Sequence, residues 1–118
     1  MHPEVLDEKR KKIFSRLHHF GNCYLAGGTA LALQIGHRTS LDFDLFVRKE
    51  IPKTLLSKIK KVFSEAAITP LVNNRDELTA LVDGIKLTFF HYLFPAVRAF
   101  RRYQGVPLAS VKEIAADK

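Results

Sequence analysis

Cys23-Tyr24-Leu25-Ala26-Gly27-Gly28-Thr29-Ala30-Leu31-Ala32-Leu33, then Leu41-Asp42-Phe43-Asp44-Leu45-Phe46-Val47, are the stretches that decide how this chain folds. The first four residues are an apolar run of strand character, too short for a helix and stopped by Gly27-Gly28. Residues 29–35 read as a brief helix, with Gly28 or Thr29 as its cap and Gly36 past its C-terminal end. His37-Arg38-Thr39-Ser40 is a polar connection. In the second stretch alternation assigns Asp42 and Asp44 to one face of a strand and Leu41, Phe43 and Leu45 to the other.

Working outward, Leu6, Ile13, Phe14, Leu17 and Phe20 recur at roughly helical spacing, which predicts an amphipathic helix over residues 3–20 ended by Gly21-Asn22. Beyond the acidic strand, Pro52 suits a first helical position. Leu55, Leu56, Ile59, Val62, Phe63 and Ala66 follow it as a core-facing stripe, with Lys53, Lys58, Lys60 and Lys61 mostly outward. Residues 68–72, 77–82 and 85–92 read as strands, the last two joined by the hairpin signal Asp83-Gly84, so an antiparallel segment is expected. Pro95 breaks the run, residues 98–103 are ambiguous and residues 105–108 suit a short extended piece. Ser110-Val111-Lys112-Glu113 has capping-box spacing, and the sequence stops inside the helix it starts, which suggests truncation before further helices.

The chain has 118 residues, 47% of them hydrophobic and 26% charged, so residues 1–118 are expected to form a single domain. Disordered, collagenous and disulfide-stapled classes are excluded. The single cysteine, Cys23, cannot pair within the chain and reads as an inert core thiol in a reducing compartment, so any metal must sit on oxygen or histidine ligands. No stretch approaches the roughly 18 apolar residues of a membrane span, and the charged N-terminus has no apolar segment after it, so a soluble, cytoplasmic protein with no membrane partner is expected. The net charge of +7 permits attraction to polyanions without choosing among them.

Two carboxylates at i and i+2 of a strand stand about 7 Å apart and can grip one divalent ion together. Magnesium favours a few carboxylates, with water and substrate phosphates completing its octahedron, so Asp42 and Asp44 form a natural half-site for a metal–nucleotide complex. The Gly27-Gly28 turn offers the other half: no Cβ blocks approach, backbone N–H groups point outward and a helix N-terminus favours an anion. Other candidates are weaker. His18, His19, His37 and His91 lack partners at ligand spacing and read as surface, capping or structural residues. Phe100-Arg101-Arg102-Tyr103 could stack on RNA bases, although a loop with solvated arginines explains it as well.

Residues 24–33, followed by His37-Arg38-x-Ser40-x-Asp42-Phe43-Asp44-Leu45-Phe46, resemble the signature of AbiEii/AbiGii-type toxin nucleotidyltransferases, a branch of the DNA polymerase β-like superfamily. More loosely, residues 84–92 and 108–118 are similar to later parts of that family. The resemblance implies an α+β fold, a mixed, mainly antiparallel sheet flanked by helices, followed by a C-terminal helical region that is absent here. It implies Mg2+ on Asp42 and Asp44, Gly27, Gly28 and Thr29 as the phosphate cradle, Arg38 and Ser40 beside the phosphates, and Lys118 as a lysine that meets the nucleotide. It further implies transfer of a nucleoside monophosphate from a nucleoside triphosphate to an acceptor such as tRNA, another RNA or a protein hydroxyl, within a toxin–antitoxin or phage-defence pair that includes a cognate antitoxin. The superfamily has a third carboxylate on a later strand, and Thr88 stands about where it is expected, with Asp83 better explained by its turn. That gap leaves open a catalytically inactive nucleotide- or RNA-binding module of the same fold, or a structural α+β domain with chance acids.

Overall fold

A computed structural model of the chain describes residues 4, 6–21, 23–26, 33, 42–91 and 99–109. Helix α1, Glu8–Phe14, starts at Asp7, whose carboxylate accepts from the backbone N–H of Arg10 at 2.8 Å. It is shorter than the spacing predicts: the chain turns at Ser15-Arg16 and resumes as a single 3-10 turn, Leu17–His19. Arg16 explains the break, because its guanidinium reaches across to the Val62 carbonyl at 3.1 Å and pairs with Glu65. Tertiary anchoring here overrides a continuous helix. Helix α2, Leu55–Val62, buries Leu55 and Ile59, and Phe63 follows them inward.

The strands are β1 (Cys23–Ala26), β2 (Phe43–Val47), β3 (Ile68–Asn73), β4 (Glu77–Val82), β5 (Ile85–His91), β6 (Ala99–Tyr103) and β7 (Val106–Ala109). They form one sheet in the order β3-β4-β5-β2-β1-β7-β6. Its neighbours are antiparallel except for β2 beside β5 and β1 beside β7, so the sheet is mixed and mainly antiparallel, as expected. Asp83 and Gly84 take positive φ of 51° and 84° and close the predicted β4–β5 hairpin. Gln104 and Gly105, at 50° and 78°, make a second hairpin that turns the ambiguous segment into β6 and β7.

Strand register sorts the side chains into two faces. Leu25, Phe43, Leu45, Leu78, Ala80, Leu87, Phe89 and Leu108 occupy one face, all buried. The helical segments cover it: Phe14 meets Phe43 at 6.2 Å and Tyr103 at 5.2 Å between ring centroids, and Phe20 meets Phe89 at 5.2 Å and Phe63 at 6.2 Å. Burying one such aromatic side chain is worth about 1.5–3 kcal/mol, so this layer fixes which face of β2 turns inward. The opposite face therefore carries Asp44 and Phe46 of β2, Lys86, Thr88 and Phe90 of β5, and Thr79 of β4. No helix among the described residues is long and apolar enough to cross a membrane.

Candidate metal and nucleotide site

The inward pull of Phe43 and Leu45 leaves Asp44 half-buried on the opposite face, with Asp42 immediately before β2 and also half-buried. Burial pushes the Asp44 carboxyl above its ordinary range, the negative charge of Asp42 adds to that rise, and Lys86 opposes it. An acid whose proton affinity is raised by a neighbouring carboxylate sits where a divalent cation brings relief. Among the described residues no group of three His, Cys, Asp or Glu side chains could hold a metal. A two-carboxylate donor set, all oxygen, fits magnesium, which keeps waters and substrate phosphates in its remaining positions.

Gly27, Gly28, Thr29, Arg38, Ser40 and Lys118 lie outside the described residues, as do His37, the capping box at Ser110 and most of the helix expected over residues 29–35. Within that segment Leu33 is helical and fully buried. The aspartates are thus the part of the expected constellation whose placement is described. Thr88 is the register partner of Asp44 across the parallel β2–β5 pair, which puts a hydroxyl on the strand position beside the acid. Asp83 is taken up by the hairpin: its carboxylate accepts from the Ala67 N–H at 2.8 Å, and its own N–H donates to the Ala67 carbonyl at 2.9 Å.

The other sequence candidates fall elsewhere. His18 and His19 stack on each other at 4.2 Å and are exposed. His91 Nδ1 stands 3.7 Å from an Asp76 carboxylate oxygen at the end of β5. The Cys23 thiol, 4% exposed, donates to the Phe20 carbonyl at 2.8 Å, and burial pushes its pKa up to about 11 despite the nearby charge of Lys58.

Two features were not singled out from the sequence. Lys86 shares a β5 face with Thr88 and acts on Asp44 electrostatically; the alternation of β5 holds that signal, but only the pairing with β2 says which acid it meets. At the other end of β2 a cavity of about 830 Å³ opens, lined by His18, Phe20, Tyr24, Arg48, Lys49 and Lys58 among others. Lys58 Nζ stands 5.5 Å from the Phe20 ring centroid in a cation–π arrangement.

This sheet order and helix placement define a nucleotidyltransferase-like α+β fold. The chain superposes with a TM-score of 0.68 on the crystal structure of JHP933 from Helicobacter pylori, at 22% identity, covering 95% of this chain and 56% of that one. A second H. pylori crystal structure matches with the same TM-score at 20% identity, over 95% of this chain and 58% of that one. An uncharacterized protein of Aquifex aeolicus (strain VF5) is 34% identical over 118 residues, which is 96% of this chain and 57% of that protein. The chain therefore spans little more than half the length of these relatives. The model of the family described as nucleotidyl transferase AbiEii toxin, type IV TA system, matches residues 11–107, and the chain belongs to that family.

Proposed function

We propose that this chain is the nucleotide-handling core of a magnesium-dependent nucleotidyltransferase that moves a nucleoside monophosphate from a nucleoside triphosphate onto an RNA acceptor, as the toxin of a toxin–antitoxin pair. The observation that carries the reading is the Asp42/Asp44 pair on the sheet face opposite the helices, in a chain of this family. Asp42 and Asp44 would hold the ion, which when bound supplies positive charge at the α-phosphate. Gly27 and Gly28 N–H groups with Thr29 would take the triphosphate tail, and Arg38, Ser40 and Lys118 would contact the nucleotide. Arg38 would offset negative charge that develops in the transition state. Lys86 adds a positive charge that acts on Asp44 and would offset part of the repulsion between the carboxylates and incoming phosphates. The basic and aromatic lining of the cavity at the far end of β2 supports an RNA acceptor, and the family supports a cognate antitoxin as partner.

A second reading, a binding module without turnover, is favoured by Thr88, which occupies the strand position beside Asp44 where a third carboxylate is expected. The test measures calorimetric binding of each of the four nucleoside triphosphates, with and without Mg2+, to the wild-type chain and to Asp44→Asn. Label transfer from α-labelled triphosphates to total RNA is then followed. Magnesium-dependent binding lost in the variant, together with label transfer, is the expected result. Binding without transfer selects the module, and no binding to any of the four removes the nucleotide site.

A further inference from the structure

Thr79 and Thr88 are the two buried polar side chains among the described residues, 2% and 1% exposed. They are register partners across β4 and β5, with their hydroxyl oxygens 3.2 Å apart. Thr79 Oγ1 also stands 2.6 Å from Glu77 Oε2, and Glu77 is itself anchored where Asn74 Oδ1 accepts from its backbone N–H at 2.8 Å. Donor counting fixes the direction of this chain. A carboxylate only accepts, and each hydroxyl has a single hydrogen to give. Thr79 therefore donates to Glu77, and the bond between the threonines is donated by Thr88. The hydrogen of Thr88 is turned toward β4, away from Asp44, its register partner on the other side.

A threonine beside a carboxylate in register is otherwise well placed to donate to it across the roughly 4.8 Å between strands. Such a charge-assisted bond stabilises the free carboxylate and competes with a cation for its lone pairs. Among the described residues no side chain donates a hydrogen bond to Asp44. We infer that Glu77 and Thr79 act as positioning residues that hold the Thr88 hydroxyl reversed, so that the Asp44 carboxylate takes no hydrogen bond from its β5 neighbour and stays open to a divalent cation. The inference rests on the reading of Asp42 and Asp44 as metal ligands. It gives the buried threonine pair a role beyond packing: a polar ladder whose outer end, at Glu77, sets the hydrogen-bond polarity of its inner end.

The test is binding of Mn2+ alone to the full chain, read from the electron paramagnetic resonance signal of the free ion, for the wild type, Thr79→Ser, Thr79→Val, Thr88→Val and the Thr79→Val/Thr88→Val double variant. Thr79→Val removes the acceptor of the Thr88 hydrogen and frees it to turn to Asp44, so the Kd is expected to rise roughly ten- to a hundredfold, the range of one charge-assisted hydrogen bond. Thr79→Ser keeps the ladder, while Thr88→Val and the double variant leave no hydroxyl to turn. All three are expected within about twofold of wild type. Neither valine opens a cavity, but Thr79→Val also strands the Thr88 hydroxyl, so each Kd is read on chains that circular dichroism shows fully folded. A Kd that rises in step with loss of fold, and not in folded Thr79→Val, overturns the positioning role. Glu77→Leu cuts the same ladder at its half-exposed end and carries the same expected loss, which keeps the test sound if Thr79→Val unfolds. Thr79→Val binding as tightly as wild type, or a double variant as weak as Thr79→Val, overturns the inference and leaves the metal site standing. A wild-type chain that binds no Mn2+ overturns the metal site itself and this inference with it.

Discussion

Asp44 holds its place on the opposite face because its neighbours Phe43 and Leu45 are drawn into the helix-covered core, not because the position suits a charge. Its raised carboxyl gives a definite sign for stability. A group whose folded pKa lies above its unfolded value contributes stability that is complete below the unfolded pKa, near 3.9 for aspartate, and is lost as pH rises through the folded value. At pH 7 the metal-free chain therefore carries Asp44 at a cost. Asp44→Asn is expected to raise the metal-free Tm at pH 7, with the gain shrinking as pH falls toward 4. The same substitution abolishes any rise in Tm on adding Mg2+. A thermal melt that falls in Asp44→Asn at pH 7 contradicts this account. Cys23 offers a second check. With its pKa near 11, its thiolate fraction at pH 8 is on the order of 100-fold below that of a free cysteine, so iodoacetamide should leave the native chain unlabelled and react only after denaturation. The acids and the thiol were both legible in the sequence, because period-two alternation and a short apolar run are local signals. Lys86 and the Thr79–Thr88 pair were not legible as a group, because they meet Asp44 only through strand pairings that join residues far apart in the chain.

Among the elements, the two hairpins show what local signals carry and where they stop. Asp83-Gly84 and Gln104-Gly105 have nearly the same backbone, two consecutive residues at positive φ. The first was recognisable because Asp and Gly are the residues such a turn prefers, and the second was missed because glutamine is not among them. Their glycines differ in surroundings. A Cβ at Gly84 meets only the Lys9 ammonium at 4.0 Å, whereas a Cβ at Gly105 stands 3.1 Å from His18 Cβ. Gly84→Ala therefore carries only the backbone penalty, about 1 kcal/mol, while Gly105→Ala adds a push against the Leu17–His19 turn and is expected to cost about 2 kcal/mol. Urea unfolding of the two variants measures the difference, and equal losses would mean that the turn yields freely. Conversely, Gln104→Asn is expected to stabilise by a few tenths of a kcal/mol, because asparagine accepts positive φ more readily. Helix ends were the least legible feature: the break after Phe14 depends on Arg16 reaching Val62 and Glu65, partners that no local periodicity reveals.

For the molecule as a whole, the mixed sheet followed from resemblance and not from pattern. The antiparallel β4–β5 hairpin could be read directly, but the placement of β2 between β5 and β1 is a matter of topology that hydrophobic alternation leaves open. That placement sets Asp42 at one end of β2 and the basic, aromatic cavity at the other, roughly 17 Å away along five strand steps. Phe20, Phe89 and Lys58 of the cavity lining lie on the helix-covered side of the sheet and Asp44 on the other. An RNA whose 3′ end sat at the aspartates would have to turn round the Val47 end of β2 for its upstream phosphates to meet Lys49 and Lys58. A net charge of +7 spread over the chain gives non-specific attraction to any RNA, so affinity alone does not identify this path. Salt dependence does. Each phosphate contact on a single strand contributes about −0.7 to the slope of log K against log salt. Lys49→Glu with Lys58→Glu is expected to flatten that slope by about 1.4 if both lysines contact phosphates, and to weaken binding of a short single-stranded RNA by at least tenfold at low salt. As a control, Lys11→Glu with Lys12→Glu makes the same change in net charge on α1, outside the cavity lining, and should leave the slope nearly intact. Equal flattening in both double variants would reduce the cavity to one part of a generally basic surface. A selective loss would place single-stranded RNA at the cavity end of β2.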